Sequence, residues 1–312
     1  MFNSLFKKST FIQALVLFLL LSLSVVQAEN LKPFFLASAG SGDFAQVVTD
    51  TKSKLSGGGF EIIGEYAPYG GATIIIVTND ALKNNAKATE FGGYGGVQRI
   101  AVTDVAGKVQ VTYTNPIYMA NSYQMAGKLD DVAAALKNAL GAQETYGSKK
   151  GLSAKDLQGY HYMFGMPYFD DPDVLSEHGS YDKAMQQVNA ALNAKKGGVT
   201  KVYQLDIPDK QQTVIGVAMT EGMSSDATIM KEVDFKDIRG TAHLPYEMLI
   251  HKDGKVYALN AKFRIAINFP DLSMAGKNSF MGIMASPDAI KKALTSASGG
   301  GEKAESSGEF DF

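Results

Sequence analysis

The sequence predicts an α+β fold in two related domains, each a mixed, mostly antiparallel sheet with two helices packed on one face. Three observations carry this. Residues 96–116 read as a β-hairpin: Ile100 and Val102 alternate with polar or small residues, Ala106-Gly107 supplies the turn, and Val109 and Val111 alternate on the return. The pattern recurs at 244–257. There Met248 and Ile250 stand 148 residues after Ile100 and Val102, and Gly254-Lys255-Val256 stands 147 after Gly107-Lys108-Val109, making the first turn one residue longer. A helical stripe of Phe44, Val48, Thr51 and Leu55 also returns 137 residues later as Tyr181, Met185, Val188 and Leu192. This much parallel order reads as an internal duplication.

Residues 1–28 have the pattern of a cleaved secretory leader. Lys7 and Lys8 precede an apolar run from Phe11 to Val26, and Val26-Gln27-Ala28 places small residues where a peptidase reads. The expected location is a bacterial periplasm, with no membrane contact after cleavage. The mature chain of 284 residues carries 28 basic and 32 acidic side chains, a net charge of −4, with no basic block. Nucleic acid is therefore not an expected partner. Without cysteine there are no disulfides, thiol chemistry or iron–sulfur clusters, so stability must come from core burial.

The expected first domain spans 29–142. It runs from a strand at Pro33–Ala37 through the helix opening near Asp43 and stopping at Gly57-Gly58-Gly59, a strand from Phe60 to Tyr66, and Ala72–Thr78, apolar enough to be buried on both faces. The hairpin follows, then a helix around Lys128–Leu140. A polar linker is expected at 143–156. The second domain, 157–298, would open on a strand at Gly159–Phe164. It continues with a helix capped by Ser180, strands at 199–205 and 213–220, the hairpin, and a helix starting at Ser286-Pro287-Asp288. Residues 299–312 read as a disordered acidic tail.

Arg99-Ile100-Ala101-Val102, Ala106-Gly107-Lys108-Val109 and Tyr113-Thr114-Asn115-Pro116 together resemble the signature of domain-of-unknown-function family 302. Leu244-Pro245 supplies, in the second copy, the Leu-Pro that the first copy lacks. The departures are Thr78-Asn79-Asp80 and Met219-Thr220-Glu221 in place of a Gly-Asn-Pro turn, Glu247 in place of Arg99, and about six extra residues between Val256 and Asn268-Phe269-Pro270. The resemblance implies compact α+β domains with helices on a mixed sheet, and no assigned biochemistry.

Asn79, Arg99, Tyr113 and Asn115 match the family pattern. They stand either as a ligand pocket in which Arg99 binds an anionic group, or as two turn residues and an exposed cross-strand pair. His161, Met163 and Met166 combine imidazole with thioethers, a donor set suited to copper, although Met also fills core gaps. Asp170-Asp171-Pro172-Asp173 lacks the ligand order of a calcium loop and reads as a turn and helix start. No Gly-x-Ser-x-Gly, His-Glu-x-x-His or Walker loop is present, and the four histidines have no evident nucleophile beside them. The expected function is a non-enzymatic module, built as an internal pseudo-dimer, that holds a small apolar or anionic ligand or a periplasmic protein. No cofactor is predicted. Copper handling is the alternative, and an unrecognised hydrolase or transferase the third reading.

Overall fold

The computed structural model describes residues 30–301. The expected leader and residues 302–312 of the expected tail lie outside the described residues. In the first half each sequence period becomes the element it dictates. β1 (Phe34–Gly40) leads to α1 (Phe44–Gly57), capped by Asp43, whose carboxylate accepts the Gln46 N–H at 2.8 Å. β2 (Glu61–Tyr66) and β3 (Ala72–Thr78) follow, then α2 (Asp80–Ala88) and a buried 3₁₀ turn at Gly92–Gly95. β4 (Gln98–Val105) and β5 (Lys108–Thr114) form the hairpin. α3 (Pro116–Ser122), α4 (Asp130–Leu140) and the short β6 (Glu144–Tyr146) close the half.

The second half contains α5 (Ala154–Gln158), β7 (Asp173–Glu177), α6 (Tyr181–Asn193), β8 (Val199–Ile207) and β9 (Gln212–Met219). After these come α7 (Asp226–Val233), a 3₁₀ turn at Thr241–His243, β10 (Tyr246–Ile250), β11 (Lys255–Ala258), α8 (Ala261–Asn268) and α9 (Ser286–Ala297). One sheet has the order β2-β3-β4-β5-β1-β6 and the other β8-β9-β10-β11-β7. Strand for strand the two orders agree, with β6 the extra member, and every strand pairing is antiparallel.

Strand alternation divides each sheet into two apolar faces. Ile75, Val77, Ile100, Val102 and Val111 pack with Val48 and Leu55 of α1 and Val132 and Leu136 of α4. The other face, including Ile74, Ile76 and Ala101, joins a core cluster with Val214, Tyr203 and Leu249 of the second sheet. Among the described residues, the chain from Leu31 onward is one compact unit whose core runs across both sheets. α6 packs on the opposite face of the second sheet, where the Tyr181 hydroxyl meets Thr213 Oγ1 at 2.6 Å.

Four sequence expectations change. Residues 159–166 form turns rather than a strand, and the opening strand of the second half is β7. The segment 143–156 is not a free linker: β6 pairs with β1, and Leu152 bridges to Leu31 through two backbone hydrogen bonds. The hairpins differ by three residues rather than one. Val102 faces Val111 across eight residues (103–110), whereas Ile250 faces Val256 across five (251–255), so Val256 corresponds to Val111. With that register the counterpart of Asn115 is Asn260, not Asn268. Both Asn115 and Asn260 cap the helix that follows their hairpin.

Both sheets shift register at the same place, after Ile62 and after Lys201, which makes Gly64 and Tyr203 equivalent positions. They meet directly: a Cβ on Gly64 would lie 2.7 Å from that of Tyr203. The Tyr203 ring in turn fills the space over Gly216, where a Cβ would sit 1.9 Å from the ring. Large and small side chains are thus exchanged between equivalent positions. Gly216→Ala is expected to cost about 1–3 kcal/mol by overpacking. The cost should appear as a lower urea midpoint at unchanged m-value and be largely recovered by adding Tyr203→Leu.

Candidate functional site

Arg99 of β4 pairs with Ile76 and sits on the inner face, where alternation would otherwise place an apolar residue. Glu247, 148 residues later, lies opposite Gly216 on β10, which is the position equivalent to Arg99. These two equivalent residues meet at the seam between the sheets. The Arg99 Nε donates to Glu247 Oε1 at 3.1 Å and its Nη2 closes the fork on the same oxygen. Arg264 of α8 donates through Nη1 to Glu247 Oε2, and through Nη2 to the carbonyls of His243 at 2.5 Å and Pro245 at 2.7 Å. Arg99, Glu247 and Arg264 are only 2 %, 3 % and 1 % exposed. Ions this deep persist only when paired and hydrogen-bonded.

Burial pushes the Glu247 carboxyl up, but Arg264 and then Arg99 outweigh it and hold the group below its usual range. Burial opposes the charge of Arg99, and Glu247 more than offsets that. The Tyr203 hydroxyl adds a bond to Glu247 at 3.2 Å, and the Arg264 guanidinium lies 5.1 Å from the Tyr246 ring centre. His243 bonds Tyr246 at 3.2 Å; burial and the two guanidiniums push its pKa well down, keeping the ring neutral. Across the seam the Tyr66 hydroxyl donates to Asp226 at 3.3 Å, Tyr118 donates to the Ile267 carbonyl at 2.8 Å, and Tyr69 meets Thr241 at 3.0 Å. Burial raises Asp226 to about 7, against the Met219 N–H and Tyr66 hydroxyl bonds that lower it. This polar centre is a fastening between the sheets, with its charges consumed internally.

The four family-pattern residues do not converge on a pocket. Asn79 caps α2 by accepting the Leu82 N–H at 2.9 Å. Asn115 caps α3 by accepting from Ile117, and its amide donates to the Lys32 carbonyl at 2.9 Å. Tyr113 faces Ile100, so it lies on the sheet face opposite Arg99; it stacks on Phe35 and donates to the Gly141 carbonyl at 3.0 Å. Neither Arg99 nor Tyr113 is exposed, which removes the exposed cross-strand pair.

His161, Met163 and Met166 lie in the turn segment before β7 rather than on the strand expected at Gly159–Phe164. The His161 ring packs on Tyr168 at 4.4 Å, Met163 is 43 % exposed, and Met166 faces a cleft. That cleft is small and apolar, with a volume of about 30 Å³, and is lined by Tyr162 and Met166, by Ile265 and Phe269 of the α8 region, and by Met274 and Phe280. Among the described residues no cluster of three or more His, Asp or Glu is placed to hold a metal. Asp170-Asp171-Pro172 is a turn, with Asp171 accepting the Tyr168 N–H at 3.1 Å, and Asp173 opens strand β7 rather than the expected helix.

One histidine sits beside a serine: His178 Nε2 is 2.9 Å from Ser176 Oγ. Both also reach the Ser298 carbonyl, at 2.9 and 3.1 Å, so the pair anchors the end of α9. Sequence reasoning missed Arg264, Tyr203, Asp226 and the role of the glycine run at 92–96. Gly93 approaches Val214 so closely that a Cβ would lie 2.3 Å away, and its N–H donates to Gln212 at 3.0 Å. The available signal was Glu247 at the repeat position of Arg99, an opposite charge where a copy would carry the same one.

Glu247→Gln, which leaves two buried guanidiniums without a counter-charge, is expected to cost about 3–5 kcal/mol in urea unfolding. Arg99→Met should cost less, because Arg264 still pairs with the carboxylate. Asp226 binds its proton more tightly folded than unfolded, so its contribution is present below the unfolded value of 3.8 and is lost as pH rises toward about 7. Asp226→Asn should therefore flatten the fall in stability between those pH values and be the more stable protein at pH 8, by roughly 2–4 kcal/mol.

Comparison of the chain with protein-family models, with curated proteins and with solved structures gives no match.

Proposed function

We propose that this chain is an exported, non-enzymatic binding module, made by duplication of one α+β unit whose two copies pair within a single polypeptide. The matching strand orders, the equivalent caps Asn115 and Asn260, and the meeting of equivalent residues at the seam support the duplication. Duplication lets a two-fold contact become asymmetric, and it holds the partners at high effective concentration. The order of Arg99, Gly107-Lys108 and Tyr113-x-x-Pro116 along β4, β5 and α3 supports kinship with domain-of-unknown-function family 302. Periplasmic location rests on the leader-like residues 1–28.

The observation that carries the binding reading is the apolar cleft of Tyr162, Met166, Ile265, Phe269, Leu272, Met274 and Phe280. Its volume of about 30 Å³ admits part of an alkyl chain and not a whole cofactor. A second reading, copper handling, has one supporting observation: the Met166 and Met274 thioethers share this cleft. Titration with a fluorescent fatty acid and, separately, with Cu(I) in competition with a chelator tests both. For the apolar reading, binding of the fatty acid survives Met166→Leu with Met274→Leu and falls at least tenfold with Met274→Glu, estimated from the loss of apolar burial. Loss of Cu(I) binding in the Leu variant with fatty-acid binding absent throughout would favour copper instead.

A further inference from the structure

Nine large apolar side chains are exposed among the described residues, and six of them fall in two segments, 160–168 and 272–284. These segments wall the same cleft: Tyr162 and Met166 come from one, Met274 and Phe280 from the other. Each is held in shape by its own backbone. Met166 N–H donates to the Met163 carbonyl at 3.0 Å, and Met281 N–H to that of Met274 at 3.1 Å. At the tip of the first, Phe164 is 100 % exposed, beside Gly165 at φ 79°; on the second, Met281 and Met284 are 61 % and 65 % exposed. A side chain of this kind standing wholly in water is a cost that folding could have avoided by substitution, so the patch marks a contact surface.

The charge pattern selects the partner. No Asp, Glu, Lys or Arg occurs from Leu157 to Phe169, and Lys277 is the one charged residue from Leu272 to Pro287. Lys262 adds a second cation at the cleft, and Asp170, Asp171 and Asp271 stand at the roots of the segments; the acid beside the rim, Glu232 of α7, lies against Gly282 with its carboxylate accepting the Ser279 N–H at 3.0 Å. Apolar tips, the first flanked by Tyr160, Tyr162 and Tyr168, with Lys262 and Lys277 beside them and the one neighbouring acid, Glu232, taken up by the Ser279 N–H, match the boundary between acyl chains and anionic headgroups. Aromatic rings and lysine stems settle there with their polar ends in water. We propose that the rim formed by Met163-Phe164, Met281 and Met284 inserts into an anionic lipid surface, opening the cleft toward the acyl layer. The sequence alone led us to expect no membrane contact after leader removal; the exposed rim argues for a peripheral one. No described helix is long and apolar enough to cross a membrane, and the proposal needs none.

This inference does not rest on the ligand reading, because Phe164, Met281 and Met284 do not line the cleft. The chain lacks tryptophan, so Phe164→Trp creates a unique reporter at the tip. The test uses protein purified after export, its leader removal checked by intact mass, with phosphatidylethanolamine–phosphatidylglycerol vesicles. The tryptophan emission should shift to the blue and be quenched by brominated acyl chains. In flotation, Phe164→Ser with Met281→Ser and Met284→Ser should bind vesicles at least tenfold more weakly, estimated from the apolar area withdrawn, with its unfolding midpoint unchanged. Absence of wild-type flotation, or flotation unaltered in the triple variant, would overturn the proposal and leave a protein as the partner of this patch. Equal binding to phosphatidylcholine vesicles would overturn the anionic-headgroup assignment.

Discussion

Two guanidiniums and one carboxylate, buried between two sheets, set the terms on which the molecule holds together. A residue on a two-fold axis meets its own copy, and Arg99 facing a second arginine in that position would be repelled at close range in a medium of low polarity. Glu247 at the equivalent position converts that contact into an attraction, and Arg264 completes it. The pair is directional as well as attractive: the fork of Arg99 fits one carboxylate oxygen and Arg264 the other. One register of sheet on sheet satisfies both.

The same logic of complementary differences extends outward from the centre. Gly64 faces Tyr203, and Tyr203 lies over Gly216, whereas in the first sheet the equivalent of Gly216 is the bulky Ile76. The glycine-rich turn at 92–95 lies close against β9 and β10, and the turn at 241–243 packs on the first sheet in the reciprocal way. Charge and volume are both divided unequally between equivalent positions. The result is an interface that neither half could make with a copy of itself.

That arrangement separates stability from function. At the seam the Glu247 carboxylate is bonded by Arg99, Arg264 and Tyr203, while His243 Nδ1, Arg264 Nε and Asp226 Oδ1 are buried without a hydrogen-bond partner. The cleft lies along the face of α8 that carries Lys262, Ile265 and Ala266, with its methionine-rich rim exposed. Methionine and tyrosine suit such a rim, being deformable or amphipathic and tolerant of several apolar partners.

The local periods were legible in the sequence. Alternation at Ile100–Val102, the stripe of Phe44, Val48, Thr51 and Leu55, and the caps Asp43 and Ser180 determine their elements through contacts within a few residues. The α+β class and the repeated order followed from them. What only the tertiary structure decided was every relation between distant residues. Glu247 stood as a departure from the repeat and is the partner of Arg99; Asn79 and Asn115 stood as either pocket or turn residues and are helix caps; His161 and Met163 were expected on a strand and lie on a turn. The hairpin offset could not be read either, since register depends on which residues face each other across strands, not on the match of Gly-Lys-Val letters. A sequence carries the period of an element, but the pairing of its faces is settled by which surfaces can be buried together.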